Sequence, residues 1–268
     1  MPESQPSVPP VVLTIAGFDP SSGAGITADL KTFAAHSCYG IACITALTVQ
    51  STRVVSGVQP IDVAMVCAIL EELAADFSIA AVKVGMLGSG AVAEAVGEFL
   101  RKLRPRHLVL DPVLRSSWGM ALIDEAGKAA LHKLFSLASV ITPNRAEAAE
   151  LSGIAVADPA GARQAAVALH RLGARAVVIT GGDASSAEAV DLFSIDNGGG
   201  NIEVRELTAP KIQSRSTHGT GCAFSSSIAA HLALGASLVE AVARAKRYVR
   251  RAIESAAPLG HGHGPLNL

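Results

Sequence analysis

Short, nearly continuous apolar runs alternate along this chain with longer stretches whose apolar residues recur every three or four positions. A short apolar run bounded by turn residues fits a strand buried on both faces. The longer period fits a helix with one face on a core. On this basis strands are predicted over 11–17, 40–49, 80–85, 107–110, 140–141 and 176–180. Helices are predicted over 26–36, 61–75, 91–103, 125–135, 144–151 and 160–172, with two more, 222–234 and 238–255, finishing the chain. Runs 189–195 and 202–207 flank Asp196-Asn197-Gly198-Gly199-Gly200, which reads as an antiparallel hairpin at a sheet edge. The alternation predicts an α/β chain with three α/β/α layers and a mostly parallel central sheet. No linker or internal repeat interrupts it, so residues 11–268 are expected to form one domain behind a loose Pro/Ser tail at 1–10.

Composition narrows the picture. Of 268 residues, 50% are hydrophobic and 17% charged, which suits a compact core and excludes a disordered chain. With net charge −1 and 4% aromatics, a stacking platform for nucleic acid is not expected. Arg244, Lys246, Arg247, Arg250 and Arg251 fall at helical spacing and are expected to form a solvated face. The four cysteines make no CxxC pair and no zinc-like spacing. Cys38, Cys43 and Cys67 sit in apolar surroundings and are expected to behave as small core residues of a protein in a reducing cytosol. Residues 1–10 lack the basic segment and apolar run of a signal peptide, and no apolar run is long enough to span a bilayer. A cytoplasmic location is therefore expected.

In open parallel sheets ligands bind beyond the carboxyl ends of the strands, so the residues there carry the candidate chemistry. Gly17-Phe18-Asp19-Pro20-Ser21-Ser22-Gly23-Ala24-Gly25 follows the first strand. Its small residues permit close backbone approach and Asp19 offers an acceptor, but neither the P-loop nor the dinucleotide spacing is present. Gln50 ends the second strand with a donor and an acceptor, suited to a ring nitrogen beside an amino group. Met86 follows the third, able to pack on a flat ring. Asp111 is placed either to hold Mg²⁺ or its waters, or to cap the next segment. Asn144 and Glu147 open a helix on one face, and equally form a capping box. Thr180-Gly181-Gly182-Asp183 leaves room for a nucleotide. Thr217-His218-Gly219-Thr220-Gly221-Cys222 runs into a predicted helix, whose unpaired N–H groups suit phosphate and would stabilise a Cys222 thiolate. A glycine-rich helix cap with a space-filling Cys explains the same six residues. Together these strand ends favour a phosphoryl-transfer site without a P-loop.

These motifs, in this order, resemble the hydroxymethylpyrimidine/phosphomethylpyrimidine kinases of thiamine biosynthesis, within the ribokinase-like superfamily. The resemblance runs from about Val11 to Leu268 and is also carried by 24–32, 46–52, 83–87 and the tail Gly260-His261-Gly262-His263-Gly264-Pro265. It implies a ribokinase-like fold and ATP- and Mg²⁺-dependent phosphorylation of an aminopyrimidine alcohol and then of its monophosphate. It further implies that Gln50 recognises the ring, with Asp19, Met86 and Gly17 beside it. Gly219, Thr220 and Gly221 match the anion hole, and Cys222 stands where sugar kinases carry an aspartate base. Asn144 and Glu147 match the N-x-x-E motif that organises Mg²⁺ and the ATP phosphates, with Thr180, Gly182 and Thr217 on the nucleotide side and Asp111 an indirect metal partner. A homodimer is expected, with no nucleic-acid or membrane partner. Because phosphoryl transfer runs through a loose transition state, a strong base is helpful but less critical, and a Cys222 thiol with its pKa lowered by the helix-start N–H groups is expected to take the hydroxymethyl proton. The chain departs from the pattern at Thr180-Gly181-Gly182, where relatives often carry Lys-Gly-Gly, so a cation for ATP must come from elsewhere. The loop Leu114-Arg115-Ser116-Ser117-Trp118-Gly119 also differs from the expected Ser/Gly/Lys-rich one. Pyridoxal or pyridoxine kinase, and a non-catalytic pyrimidine- or nucleotide-binding regulator, are the alternatives that the same motifs allow.

Overall fold

The structure is a computed structural model that describes residues 8–182 and 187–268. In chain order the elements are β1 (Val11–Phe18), α1 (Gly25–Ala35), β2 (Tyr39–Gln50), β3 (Val55–Pro60), α2 (Val63–Asp76), β4 (Ile79–Val84), α3 (Gly90–Leu103), β5 (Leu108–Leu110) and α4 (Glu125–Phe135). They continue as β6 (Val140–Ile141), α5 (Arg145–Ser152), α6 (Pro159–Arg171), β7 (Ala176–Ile179), β8 (Glu188–Asp196), β9 (Ile202–Pro210), α7 (Thr220–Ala233) and α8 (Leu238–Glu254). All nine strands join one sheet in the order β3-β2-β1-β4-β5-β6-β7-β8-β9. The six from β2 to β7 run parallel. β8 and β9 form the expected antiparallel hairpin at one edge.

Alternate residues of each strand point to opposite faces, so a strand that is apolar throughout feeds two cores. Leu13 and Ile15 of β1 pack with α2 to α6, whereas Val12 packs with α1, α7 and α8. The three-layer expectation is thus met. Helix ends follow local chemistry: Asp62, Ser89, Asp124, Asp158 and Ser237 each accept a backbone N–H at an N-cap. The starts of α1 and α7 carry no such side-chain cap.

Three differences from the sequence reading have physical causes. β3 was not predicted, because Gly57 and Pro60 break a half-exposed strand; it pairs antiparallel with β2, so both edges of the sheet are antiparallel. Cys67 is half-buried, unlike Cys38 and Cys43, which are core residues. The basic residues of α8 do not all face solvent: Lys246 Nζ bonds the Asp191 carboxylate at 2.8 Å and the Ala189 carbonyl at 2.9 Å, while Arg250 donates to the Pro210 carbonyl. The expected loose tail lies mostly outside the described residues; Pro10 already accepts from the Tyr39 backbone. Among the described residues no helix is long and apolar enough to cross a membrane.

Candidate active site

The carboxyl ends of the parallel strands open into a cavity of about 610 Å³, well within the range of small-molecule sites. The residues given site roles in the sequence line it, from Gly17 to Cys222. Gly17 and Asp19 come from the end of β1 and its loop, Gln50 from β2, Met86 from beyond β4 and Asp111 from beyond β5. Asn144 and Glu147 come from the start of α5, Thr180 and Gly182 from beyond β7, and Thr217, Gly219, Thr220, Gly221 and Cys222 from the approach to α7. Asp183 lies outside the described residues.

The floor of the cavity is formed where two uncapped helix starts converge. Gly219, at φ +84°, opens α7 in a conformation that favours glycine, and a Cβ there would lie 1.8 Å from the Gly23 carbonyl oxygen. The anion loop therefore sits directly against the β1–α1 loop. Partial positive charge from both helix ends is focused on the space beside Cys222. The Gly25 N–H points to the Cys222 sulfur.

Beneath that floor lies a buried ionic cluster that the sequence reading did not assign. Lys83, on the face of β4 that meets α1 and α7, is fully buried. Its ammonium holds both oxygens of Asp29, at 3.0 and 2.9 Å. Thr14 Oγ1 and Ser226 Oγ complete the Asp29 shell at 2.6 and 2.7 Å. Asp111 Oδ2 lies 4.0 Å from Lys83 Nζ and accepts from Ser225 Oγ at 3.0 Å. Burial raises the Asp111 carboxyl above its ordinary value; Lys83 and Ser225 oppose, and Asp29 adds to the rise. A lysine inside an otherwise apolar strand was the available signal, since a buried ammonium requires a carboxylate partner.

This cluster corrects the expectation for Cys222. The residue keeps part of its surface at the cavity wall, yet desolvation pushes its thiol up to about 12. Lys83 and the Gly25 N–H pull it down, while Asp111 and Asp29 push it further up. Lys83 and the Gly25 N–H do not offset the desolvation, so the thiol form is favoured at neutral pH.

The ring side of the cavity is a hydrogen-bonded network. Asp19 accepts from the Ser21 N–H and hydroxyl, the Gly23 and Ala24 N–H groups, and His218 Nε2 at 2.8 Å. Burial alone would raise the Asp19 carboxyl, but the His218 and Ser21 bonds hold it below its ordinary value. The Gln50 carboxamide stands 3.0 Å from His218 Nε2 and 3.1 Å from Thr48 Oγ1. Trp118, from the loop after β5, closes over the His218 ring at a centroid distance of 5.5 Å. His218 was visible only as part of a motif, with no role attached.

Asn144 and Glu147 form a complete capping box, each side chain bonded to the other's backbone N–H at 2.9 Å. At the far end, Ala209, Pro210 and Ile212 face Val249 and Ile253 of α8 across an apolar slot. Lys246 and Arg250 also line the cavity there, the first paired with Asp191 and the second with Glu254.

A parallel sheet whose strand ends meet an uncapped, glycine-rich helix start over a small-molecule cavity fits the ribokinase-like class of kinases, and the comparisons with known proteins place the chain there. Residues 19–267 match the family model described as phosphomethylpyrimidine kinase. The chain belongs to that family. It is 42% identical to the hydroxymethylpyrimidine/phosphomethylpyrimidine kinase of Haemophilus influenzae, over 96% of this chain and 95% of that one. It is 44% identical to the thiamine biosynthesis bifunctional protein ThiED of Geobacter sulfurreducens over 96% of its own length, spanning about half (51%) of that protein. Among solved structures, the pyridoxal kinase of Staphylococcus aureus in complex with AMP-PCP matches with TM-score 0.87 and 33% identity, over 97% of this chain and 93% of that one. The phosphomethylpyrimidine kinase of Clostridium difficile matches with TM-score 0.78 and 37% identity, over 91% and 99%.

Proposed function

We propose that this chain uses ATP and Mg²⁺ to phosphorylate 4-amino-5-hydroxymethyl-2-methylpyrimidine, and then its monophosphate, in thiamine biosynthesis. The observation that carries the reading is the single cavity shared by the Gln50 carboxamide and the uncapped α7 start at Gly219–Cys222. Gln50 pairs with the ring nitrogen and exocyclic amino group, Met86 packs on the ring face, and Gly17 leaves room for its edge. Asp19 acts by shaping the loop, since its oxygens are occupied within the protein. The adenine fills the apolar slot between the β9 end and α8, with Thr180, Gly182 and Thr217 along the phosphates and Lys246 and Arg250 nearby.

The transferring phosphoryl group lies over the N–H groups of Gly219, Thr220 and Gly221, where charge develops. Cys222 as a thiol passes the role of strong base to positioning and charge neutralisation, which dominate this chemistry. In the second step the acceptor is a phosphate monoester, largely ionised near neutral pH and able to attack unaided. Among the described residues no three-ligand cluster holds a cation by itself. Asp111, whose buried carboxyl is held above its ordinary value, and Glu147 at the start of α5 both line the cavity and are the carboxylates a phosphate-bound divalent cation would use. Mg²⁺ there would neutralise charge on the ATP phosphates. A cytoplasmic homodimer is the expected setting.

ADP release, measured by enzyme coupling with the pyrimidine and separately with its monophosphate, tests the assignment; turnover of both is expected, and silence with both would end it. With Cys222 a thiol and not a base, Cys222→Ala is expected to slow both phosphorylations alike; a loss confined to the first would show that the thiol takes the hydroxymethyl proton. Pyridoxal kinase activity is the second reading, favoured by the 33% identity to solved pyridoxal kinases. The ratio of kcat/KM for the two rings separates them.

A further inference from the structure

His218 is buried, with 4% of its surface exposed, and its ring meets three elements of the ring subsite at once. The β1–α1 loop leaves room for it only because residue 23 is glycine: a Cβ there would lie 2.3 Å from His218 Cδ2. Its backbone N–H is held by the Gly264 carbonyl of the C-terminal tail. Nδ1 has no hydrogen-bond partner among the described residues. Nε2 faces both the Asp19 carboxylate at 2.8 Å and the Gln50 carboxamide at 3.0 Å.

Donors and acceptors fix what these contacts mean. An ionised carboxylate only accepts, so Nε2 carries the imidazole proton. That nitrogen then has no lone pair for an amide –NH₂, and the carboxamide must turn its oxygen toward it. The other end agrees. The Thr48 hydroxyl has one proton and two neighbours, the Phe18 carbonyl at 2.9 Å and the Gln50 carboxamide at 3.1 Å. As placed, Thr48 Oγ1 points toward both the Phe18 carbonyl and Gln50 Oε1, and Gln50 Nε2 faces His218 Nε2. A half-turn of the carboxamide brings its oxygen to the His218 donor and its –NH₂ to Thr48 Oγ1, whose single proton then goes to the Phe18 carbonyl alone. Two carboxamide rotamers differ by a half-turn, and this network admits one of them. Gln50 is left with one oxygen lone pair and one N–H for a ligand. That pair complements a ring edge with an exocyclic amino donor beside a ring-nitrogen acceptor.

We propose that His218 is a positioning residue whose Nε2–H, anchored on Asp19, fixes the orientation of the Gln50 carboxamide and so selects an amino group over an oxygen at that ring edge. This rests on the placement of the ring at Gln50 given above. Without the His218 donor the carboxamide is free to reverse. Reversed, it matches the analogue in which the amino group is replaced by oxygen and the adjacent ring nitrogen carries a proton.

The test compares kcat/KM for the aminopyrimidine alcohol and for that oxo analogue in the wild type, His218→Phe and His218→Gln. Phe keeps an aromatic ring without the donor; Gln restores a donor near the Nε2 position. The expected result is that His218→Phe narrows the discrimination at least tenfold, mainly through the KM for the ring. KM for ATP stays within about twofold, and His218→Gln recovers most of the ratio. Unchanged discrimination in an active His218→Phe overturns the proposal. A wild type inactive on both rings overturns the functional reading instead. Should His218→Phe not fold, ¹⁵N-imidazole spectra of the wild type decide: Nε2 protonated with Nδ1 bare is expected, and the opposite tautomer overturns it.

Discussion

Lys83→Met removes the one cation from the buried cluster beneath the cavity floor while keeping most of the side-chain volume. Asp29 loses two contacts of 3.0 and 2.9 Å but keeps the Thr14 and Ser226 hydroxyls. Both members of the ion pair are fully buried, so no water replaces the ammonium. Breaking such a pair on one side costs about 3–5 kcal/mol, because a carboxylate stays behind uncompensated. For a chain of 268 residues each kcal/mol is worth about 2 °C, so the melting temperature should fall by about 6–10 °C. Thermal unfolding followed by circular dichroism reads this directly. Asp29→Asn in the same chain removes the stranded charge, so the double variant should lose less than the sum of the single losses by about 1 kcal/mol or more. A drop under about 2 °C, or strict additivity, would refute the claim that this pair is an ionised unit tying β4 to α1. Lys83 also pulls the Cys222 thiol downward, so its removal raises that thiol further.

Gln50→Glu replaces the amide donor with an acceptor, and the lost bond of about 1–3 kcal/mol should raise KM for the pyrimidine at least fivefold with the ATP KM little changed; an unaltered pyrimidine KM would disprove the assignment. With its thiol pushed up to about 12, Cys222 should be alkylated slowly by iodoacetamide, the rate rising about tenfold per pH unit through pH 10. A plateau at pH 8 to 9 would mean the thiol is not so raised. Burial, aided by the charges of His231 and Arg251, pushes His36 down to about 4. The unfolded imidazole takes up its proton near 6.5 and the native one does not, so this stability is complete above about pH 6.5 and is lost as pH falls toward 4. His36→Asn should flatten the fall in melting temperature across that window, and an identical slope would count against a buried neutral His36.

Most of the sheet was legible because each strand is short, apolar and bounded by turn residues. The helix over Glu125–Phe135 and the strand Val140–Ile141 coincide with their predicted limits. β3 escaped because Gly57 and Pro60 erase its alternation. At the site, strand ends located Gly17, Gln50, Met86, Asp111 and Thr180, since a parallel sheet gathers them at one rim, and the predicted helix starts located Asn144 and Gly219–Cys222. What the sequence could not convey is contact between elements far apart in the chain. The spacing of Lys246 and Arg250 marks one helical face but not the β8–β9 hairpin that covers it. A helix start before Cys222 was readable; the burial of its thiol, to which the Asp111 and Asp29 carboxylates from the end of β5 and from α1 add, was not, and it reverses the expected shift. Likewise, His218 acquires a meaning only once Asp19 and Gln50 are brought to the same nitrogen.

The most direct test of a shared cavity for ring and phosphoryl group is ³¹P NMR of the purified protein with ATP, Mg²⁺ and the aminopyrimidine alcohol. The account predicts a new phosphate monoester resonance that gives way to a pyrophosphate ester pair as ADP accumulates. ATP hydrolysis to free phosphate with no phosphorylated pyrimidine, or no reaction at all, would contradict it.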